Sequence, residues 1–358
     1  MRSRHSGLVA GRHFHTYIVS EISGRSHKRN SLLVVSIPYY DDTALLCCLP
    51  VDRLAVSLCG IPLRNPVLAA SGTCAYGVEF EKQIDWSQVG GLIVKGLSRE
   101  PIEGNPAPRL WETRGGMINS VGLQNVGVRE FVASKLPALR SVPAAVFANV
   151  FGYSVEDYQE VVRVLEDAGG LAGYELNVSC PNTRHGGMQF GSDPALLAEV
   201  VSAVRMIARR PLIVKLSPNA GRIEPLAKAA EEAGADALSL VNTFLALAID
   251  ARTRRPRVGA GFGGLSGPAI KPIALRMVYQ AARAVRIPVI GMGGITSGED
   301  ATEFLIAGAS AVEVGTATFC DPEAPARVAR ELLQFLEEEQ VGHVSELVGT
   351  LKLGDWRT

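Results

Sequence analysis

The chain has 358 residues, 47% of them hydrophobic, and its 36 Lys and Arg balance 36 Asp and Glu to a formal net charge of zero. Without a long block of either sign it lacks the electrostatic footprint of a nucleic-acid binder, which leaves a small molecule as the expected ligand. No apolar run approaches the roughly 18 residues a bilayer span requires. The six cysteines form no CxxC pair, which predicts reduced thiols, a cytoplasmic location, and no metal or iron–sulfur site on this chain.

Residues 1–50 do not pattern with the rest. The first forty carry Arg2, Arg4, Arg12, Arg25, Lys28 and Arg29 against a single acid, Glu21, with no sustained periodicity. Acid-poor termini of this kind occur as organellar transit peptides, but a disordered tail or a start codon placed too far upstream is the simpler expectation. The patterned sequence begins at Val51, and a valine codon can initiate in bacteria. The expected organisation is therefore an N-terminal extension, 1–50, and one catalytic domain, 51–358.

From Val51 short apolar runs alternate with helical patterns, the signature of a parallel sheet with crossover helices. The predicted strands are Val67–Ala70, Leu92–Lys95, Ala145–Asn149, Tyr174–Asn177, Leu212–Lys215, Ala237–Val241, Val289–Gly291 and Ala311–Val314. Helical patterns fall near 79–86, 127–140, 154–168, 193–209, 222–233, 272–286 and 299–308, with 324–339 after the last strand. Eight strands and eight helices make a (β/α)8 TIM barrel, α/β in class. Ser154, Asp193 and Ser297 or Gly298 stand where N-caps are needed, and Gly169–Gly170, Gly234 and Gly308 where helices should end. A small strand pair near 55–63 is expected to plug the bottom.

Such a barrel delivers the C-terminal residues of each strand to one face. Ser71, Lys95, Gly96, Asn149, Asn177, Lys215, Asn242 and Thr243 all sit at those ends. The stretch YELNVSCPN (174–182) reads as one buried strand that Pro181 stops, with Cys180 at its tip. A lone Cys is most often a small buried hydrophobe, but a deprotonated thiol here is a base, and Asn177 and Asn182 offer amides to a flat polar ring.

GMGGITSGED (291–300) and AVEVGTATF (311–319) put Gly293, Gly294, Gly315 and Thr316 in the loops after strands seven and eight, where barrels commonly bind phosphate; SGPAIKP (266–272) adds Gly267. Lys215, buried at a strand end, needs an anionic or electron-rich partner. The N1/O2 edge of a reduced flavin is such a partner, so flavin mononucleotide (FMN) fits these parts best. The segment 104–125 is too long for a simple βα loop and supplies Asn119 and Asn125 to a substrate cradle. The Gly-rich loop 183–192 is placed to close over the site, with His185 a weaker candidate base. Arg252, Arg254, Arg255 and Arg257 form either a docking patch or, more simply, a solvated hairpin.

NPVLAASGT (65–73), VKGLSREPIEGNPAPRLWET (94–113), NSVGLQN (119–125), ELNVSCPN (175–182), VKLSPN (214–219), LVNT (240–243), SGPAIKP and IGMGG (290–294), in this order, resemble the dihydroorotate dehydrogenases over essentially all of 51–358. The cysteine in SCPN resembles class 1, and NTRHGGMQFG resembles class 1B, a catalytic subunit that works with a separate FAD and [2Fe–2S] electron-transfer subunit. The resemblance implies oxidation of (S)-dihydroorotate to orotate in de novo pyrimidine biosynthesis, with one FMN per chain. Cys180 would be the base, and Lys95 would touch both flavin and the orotate carboxylate. Asn119, Ser120, Val121, Gly122, Leu123, Asn177, Asn242 and Thr243 would contact substrate. Ser71, Gly96, Asn149, Asn177, Lys215, Val241, Gly267, Gly293, Gly294, Gly315 and Thr316 would contact flavin. It implies a homodimer flanked by two electron-transfer chains and NAD as final acceptor. The rivals are a class 1A enzyme using fumarate and a flavin-dependent dihydropyrimidine dehydrogenase; Lys95, a cation suited to a carboxylate, argues against the latter. A phosphate-binding isomerase or a non-catalytic flavin scaffold would share the loops alone. The departures are the first fifty residues and Ser120–Val121, where family members vary.

Overall fold

The computed structural model describes residues 52–179, 181–182 and 188–354, together with 6–9, 12–15 and 37–38. The chain divides into two compact units, Met1–Val51 and Asp52–Thr358. Within the first, Ser6–Val9 pairs antiparallel with Arg12–His15, which pairs with Ile37–Pro38.

The second unit is built on eight strands: β1 (Val67–Ala69), β2 (Gly91–Leu97), β3 (Ala145–Val150), β4 (Gly173–Asn177), β5 (Leu212–Lys215), β6 (Ala237–Leu240), β7 (Val289–Met292) and β8 (Ala311–Val314). Each pairs in parallel with its sequence neighbours, and β8 returns to β1, so the sheet is a closed barrel. Short β-branched and aliphatic runs, buried on both faces, give this arrangement, because crossover helices cover the outside while side chains fill the inside.

The covering helices are α1 (128–139), α2 (Val155–Ala168), α3 (Pro194–Arg205), α4 (Ile223–Glu232), α5 (Lys271–Ala284), α6 (Gly298–Ile306) and α7 (Ala324–Glu338). Tyr158, Val161, Val162 and Leu165 of α2 are buried at i, i+3, i+4, i+7 spacing, which lays one apolar stripe on the barrel. The caps are the expected ones. Ser154 accepts from the Asp157 N–H and Asp193 from those of Ala195 and Leu196, while Ser297 and Asp300 form a reciprocal capping box.

Two expected helices differ. Residues 79–86 form only short 3-10 turns, Val78–Phe80 and Trp86–Gln88, because Asp85 accepts from the Ser87 N–H at 3.0 Å and starts a new turn where a helix would continue. In α1, Pro137 has no N–H to give Ala133, and the preceding turn widens to π geometry over Phe131–Lys135. β4 is also shorter than the buried stretch 174–182. It stops at Asn177, and Pro181–Asn182 instead pairs antiparallel with Met188–Gln189. Cys180 therefore follows the strand by three residues rather than forming its tip.

The hairpin Val56–Leu58/Ile61–Leu63 closes the bottom. Its Leu58 and Leu63 pack on a layer of Leu68, Ile93, Phe147, Ile213, Ala237, Ile290 and Ala311. Each large aliphatic side chain buried there contributes about 1.5–3 kcal/mol. The next layer up is polar: Asn149, Glu175, Lys215, Ser239 and Glu313 are all buried. It forms the floor of the site.

Above the barrel, the loops after β2 and β6 combine into a four-stranded antiparallel sheet in the order Phe244–Ala246, Gly263–Ser266, Gly116–Asn119, Leu110–Thr113. Residues 104–125 are thus partly strand rather than a free loop. The arginine-rich segment is a hairpin, Ile249–Asp250 against Arg255–Pro256, with Arg252, Arg254 and Arg255 exposed. Arg257 is tied down by Asp250 at 2.7 Å and by the Trp111 ring, 4.3 Å from its centroid.

Candidate active site

Two cavities run together at the C-terminal ends of the strands. The smaller, about 120 Å³, is lined by Val241, Gly267, Gly293, Gly294, Gly315 and Thr316. The larger, about 400 Å³, is lined by Lys95, Gly96, Asn119, Ser120, Val121, Gly122, Leu123, Asn149 and Asn177. Ser71, Lys215, Asn242 and Thr243 line both. The expectations placed on Cys180, on the Asn182 side chain and on the loop carrying His185 fall outside the described residues.

The smaller cavity is shaped by backbone. Gly267 has φ +92°, and a Cβ there would stand 2.7 Å from Gly116 Cα; Gly294 has φ +85°, and its Cβ would stand 2.8 Å from the Gly267 carbonyl oxygen. Glycine is required at both, because neither the dihedral nor the space admits a side chain. The turn Thr316–Phe319 begins at this cavity, and its first N–H groups have no acceptor within the turn. Lys271 nearby is consumed by Asp300 and by Glu303 at 2.8 Å. An anion bound here would be left to backbone N–H groups and Thr316, whose hydroxyl already donates to Ser266 Oγ at 2.8 Å.

The larger cavity has polar walls. Asn177 Oδ1 accepts from the Ser179 N–H and from Asn242 Nδ2 at 3.1 Å; Asn242 Nδ2 also reaches Ser179 Oγ at 3.0 Å. Asn242 Oδ1 accepts from the Thr243 N–H. These contacts fix the two amides against each other and leave Asn242 and Thr243 facing both cavities. Asn119 Nδ2 donates to the Gly264 carbonyl at 3.3 Å. Ser120 Oγ is buried without a hydrogen-bond partner among the described residues, so a donor or acceptor from a ligand could satisfy it. Lys95 is without an acidic partner among the described residues, and burial, then the positive charge of Arg109, holds its pKa below the usual lysine range.

Residues 103–109 brace the cradle. Asn105 donates from its N–H to Val121 O at 3.0 Å and from Nδ2 to Ser120 O at 3.1 Å, while the Ser120 N–H donates to Arg109 O at 2.7 Å. The Arg109 guanidinium holds the Asn105 and Glu103 carbonyls and Gln124. Asn125, expected in the cradle, turns away: it bonds Ser98, the Gly127 N–H and Leu123 O, and so holds the loop's base. Asn219, not singled out from the sequence, donates to Thr243 O at 2.9 Å and accepts from the Leu245 N–H. Its place four residues after Lys215, in VKLSPN, was the available signal.

Lys215 does not wait for an external anion. Its Nζ lies 3.4 Å from Glu175 Oε1 and 3.7 Å from Glu313 Oε2, both fully buried. Glu175 also accepts from Asn149 Nδ2 at 2.6 Å and Ser239 Oγ at 2.7 Å. Burial opposes its ionisation, but Lys215 and these donors outweigh that and bring its pKa below the usual range. Burial and the neighbouring Glu175 push Glu313 well above it, with Lys215 offsetting part. The sequence reading missed both acids, although a Glu inside each of two barrel strands, YELN and VEVG, was the sign.

A cavity walled by glycine backbone and open N–H groups, joined over a buried lysine to a second cavity of amides, one unpaired hydroxyl and one cation, fits a phosphate-bearing ring cofactor beside a small anionic ring. The molecule is thus a barrel enzyme of the cofactor-dependent kind. A family model described as dihydroorotate dehydrogenase matches residues 53–336. The chain is 74% identical over 300 residues, 84% of its length and 99% of the relative's, to a protein named putative dihydroorotate dehydrogenase A (fumarate) from Solibacter usitatus. It is 52% identical, over 84% of its length and 98% of the relative's, to the dihydroorotate dehydrogenase B (NAD(+)) catalytic subunit of Citrifermentans bemidjiense, and likewise 52% to that of Geobacter sulfurreducens. The chain belongs to the dihydroorotate dehydrogenase family, oxidoreductases that bind FMN.

Proposed function

We propose that this chain oxidises (S)-dihydroorotate to orotate on bound FMN in the cytoplasm, as the catalytic subunit of a class 1B enzyme. The observation that carries the site reading is Lys95: a half-buried cation with no described acid partner, facing the cavity that adjoins the glycine cradle. It would receive the substrate carboxylate. Val121, Gly122, Leu123 and the amides of Asn119, Asn177 and Asn242, with Thr243, would hold the ring in one orientation. Gly293, Gly294, Gly267, Gly315 and Thr316 would hold the cofactor phosphate. Ser71, Gly96, Asn149, Val241 and Lys215 would lie along its ring. When bound there, FMN supplies the hydride acceptor for C6 of the substrate. Cys180, three residues beyond β4, would take the C5 proton as thiolate; an ordinary thiol ionises near ~8.5, so the rate should rise with pH unless the site lowers that value.

The test is anaerobic mixing of the purified, flavin-loaded chain with dihydroorotate. Bleaching of the flavin band is expected, and Cys180→Ala should lose it at neutral pH. A Cys180→Ala protein reduced at the parent rate would refute Cys180 as base.

Electrons must then leave. The loop NTRHGGMQFG and the 52% relatives named as NAD(+) catalytic subunits support transfer to an FAD/[2Fe–2S] partner around a homodimer of this chain. The name of the 74% relative favours fumarate instead. Stopped-flow reoxidation of the reduced, isolated chain separates them: slow reaction with fumarate is expected, and rapid turnover with it would overturn the partner reading.

A further inference from the structure

Lys215 is held by two buried carboxylates, and the two are not equivalent. Glu175 has donors on both oxygens, Asn149 at 2.6 Å and Ser239 at 2.7 Å, and the Lys215 ammonium at 3.4 Å. Glu313 has none among the described residues: neither of its oxygens finds a hydrogen-bond donor there, and Lys215 at 3.7 Å stands at ion-pair rather than hydrogen-bond distance. Its register neighbours, Met292 on β7 and Leu68 on β1, carry no charge, so among the described residues Glu175 and Lys215 are the titratable groups that face it. A fully buried carboxylate with no donor is costly, and two of them beside one ammonium leave an uncompensated negative charge. A proton on Glu313 removes both difficulties, since the acid becomes a donor to Glu175.

We propose that Glu175 and Glu313 share one proton, carried on Glu313, and that Glu313 is thereby a positioning residue: it locks Glu175 and Lys215 in place and keeps the cluster beneath the two cavities at zero net charge. The consequence for function rests on the flavin reading of the site. With one ammonium, one carboxylate and one neutral acid, the floor presents a fixed, compensated cation to whatever ring lies on it; an ionised Glu313 would present an excess anion and make a bound flavin harder to reduce.

The burial and repulsion that hold Glu313 above its ordinary pKa fix the sign of the stability effect. A group whose folded pKa is raised contributes stability below its unfolded pKa, ~4.3 for Glu, and loses it as pH rises through the folded value. Glu313→Gln, which keeps the shape and an N–H donor for Glu175, should therefore raise the thermal midpoint of the flavin-stripped chain, with little gain at pH 5 and a growing gain to pH 8. Glu175→Gln should lower it across that range, because Lys215 loses its nearer carboxylate and an amide NH2 replaces one of the two oxygens that accept from Asn149 and Ser239. In the flavin-loaded protein, Glu313→Gln should leave the flavin midpoint potential at pH 7 where the parent has it.

A lower midpoint for Glu313→Gln, a gain for Glu175→Gln, or a flavin potential raised by Glu313→Gln would each overturn the proposal, since each means that Glu313 carries the charge. The melting experiments need no cofactor. A chain that binds no flavin would refute the flavin reading and leave the shared proton standing on its own result.

Discussion

Replacing Lys95 by Met should separate two ligands that share a ring and differ in charge. Orotate carries a carboxylate and uracil does not. Lys95 lies in β2, lines the larger cavity, and meets no acid among the described residues, so a ligand carboxylate gains a charge-assisted bond that the free protein does not already make. Bonds to charged groups contribute about 1.5–3 kcal/mol, and about 1.36 kcal/mol is a decade in affinity. Lys95→Met should therefore weaken orotate by roughly 10- to 150-fold and leave uracil binding little changed. Burial and Arg109 both hold the Lys95 pKa below its ordinary 10.5. The free site accordingly loses its charge at a lower pH than an ordinary lysine, and orotate affinity should fall on the alkaline side earlier than it otherwise would. That alkaline limb should vanish in Lys95→Met. Titrations followed by the flavin absorbance of the loaded protein, from pH 6 to 10, measure both effects. Equal losses for orotate and uracil, or an alkaline limb that survives the substitution, would show that Lys95 is not the carboxylate's partner.

Three further outcomes are expected. Cys180→Ser should keep a trace of flavin reduction that appears only at alkaline pH, since a hydroxyl is a far weaker acid than a thiol; a rate independent of pH in both parent and variant would contradict a titrating base at that position. Gly294→Ala places a Cβ 2.8 Å from the Gly267 carbonyl at φ +85°, a strain of at least about 1–2 kcal/mol, so the variant should fold yet emerge from gel filtration with a reduced ratio of flavin to protein absorbance. Removal of residues 1–50 should leave flavin content, melting midpoint and dihydroorotate oxidation unchanged; a drop in any of the three would mean that the catalytic unit extends upstream of Val51.

How much of this was legible depended on what a local pattern can encode. The barrel strands repeat a short aliphatic run bounded by turn residues, and the helices carry their own caps, so β1 to β8 and the starts of α2, α3 and α6 could be read from neighbouring residues alone. The 3-10 crossover at 78–88 could not, because Asp85 competes with the helix through a side-chain contact that composition does not announce. Nor could the four-stranded sheet over the barrel. Gly116–Asn119 pairs with Gly263–Ser266, nearly 150 residues away in sequence, and neither piece has the alternation that marks a strand.

The site divides along the same line. Lys95, Asn177, Asn242 and the glycines that follow β7 and β8 sit at strand ends, so counting strands was enough to gather them on one face. Whether a residue at a strand end lines a cavity or braces it depends on side-chain direction, which is why Asn119 and Asn125, six residues apart in one motif, part company. Lys215 carries the harder lesson. A lysine at the end of a buried strand does require an anion, but the requirement names no source, and a strand read as apolar conceals the acid at its centre. Glu175 lies two residues before Asn177 and Glu313 two before Gly315, so the period of two that aims Asn177 into the barrel aims both carboxylates at the same interior, one layer lower. A charged residue two positions before a functional strand end is therefore evidence about the floor of the site, and here that floor is a lysine already held by its own protein.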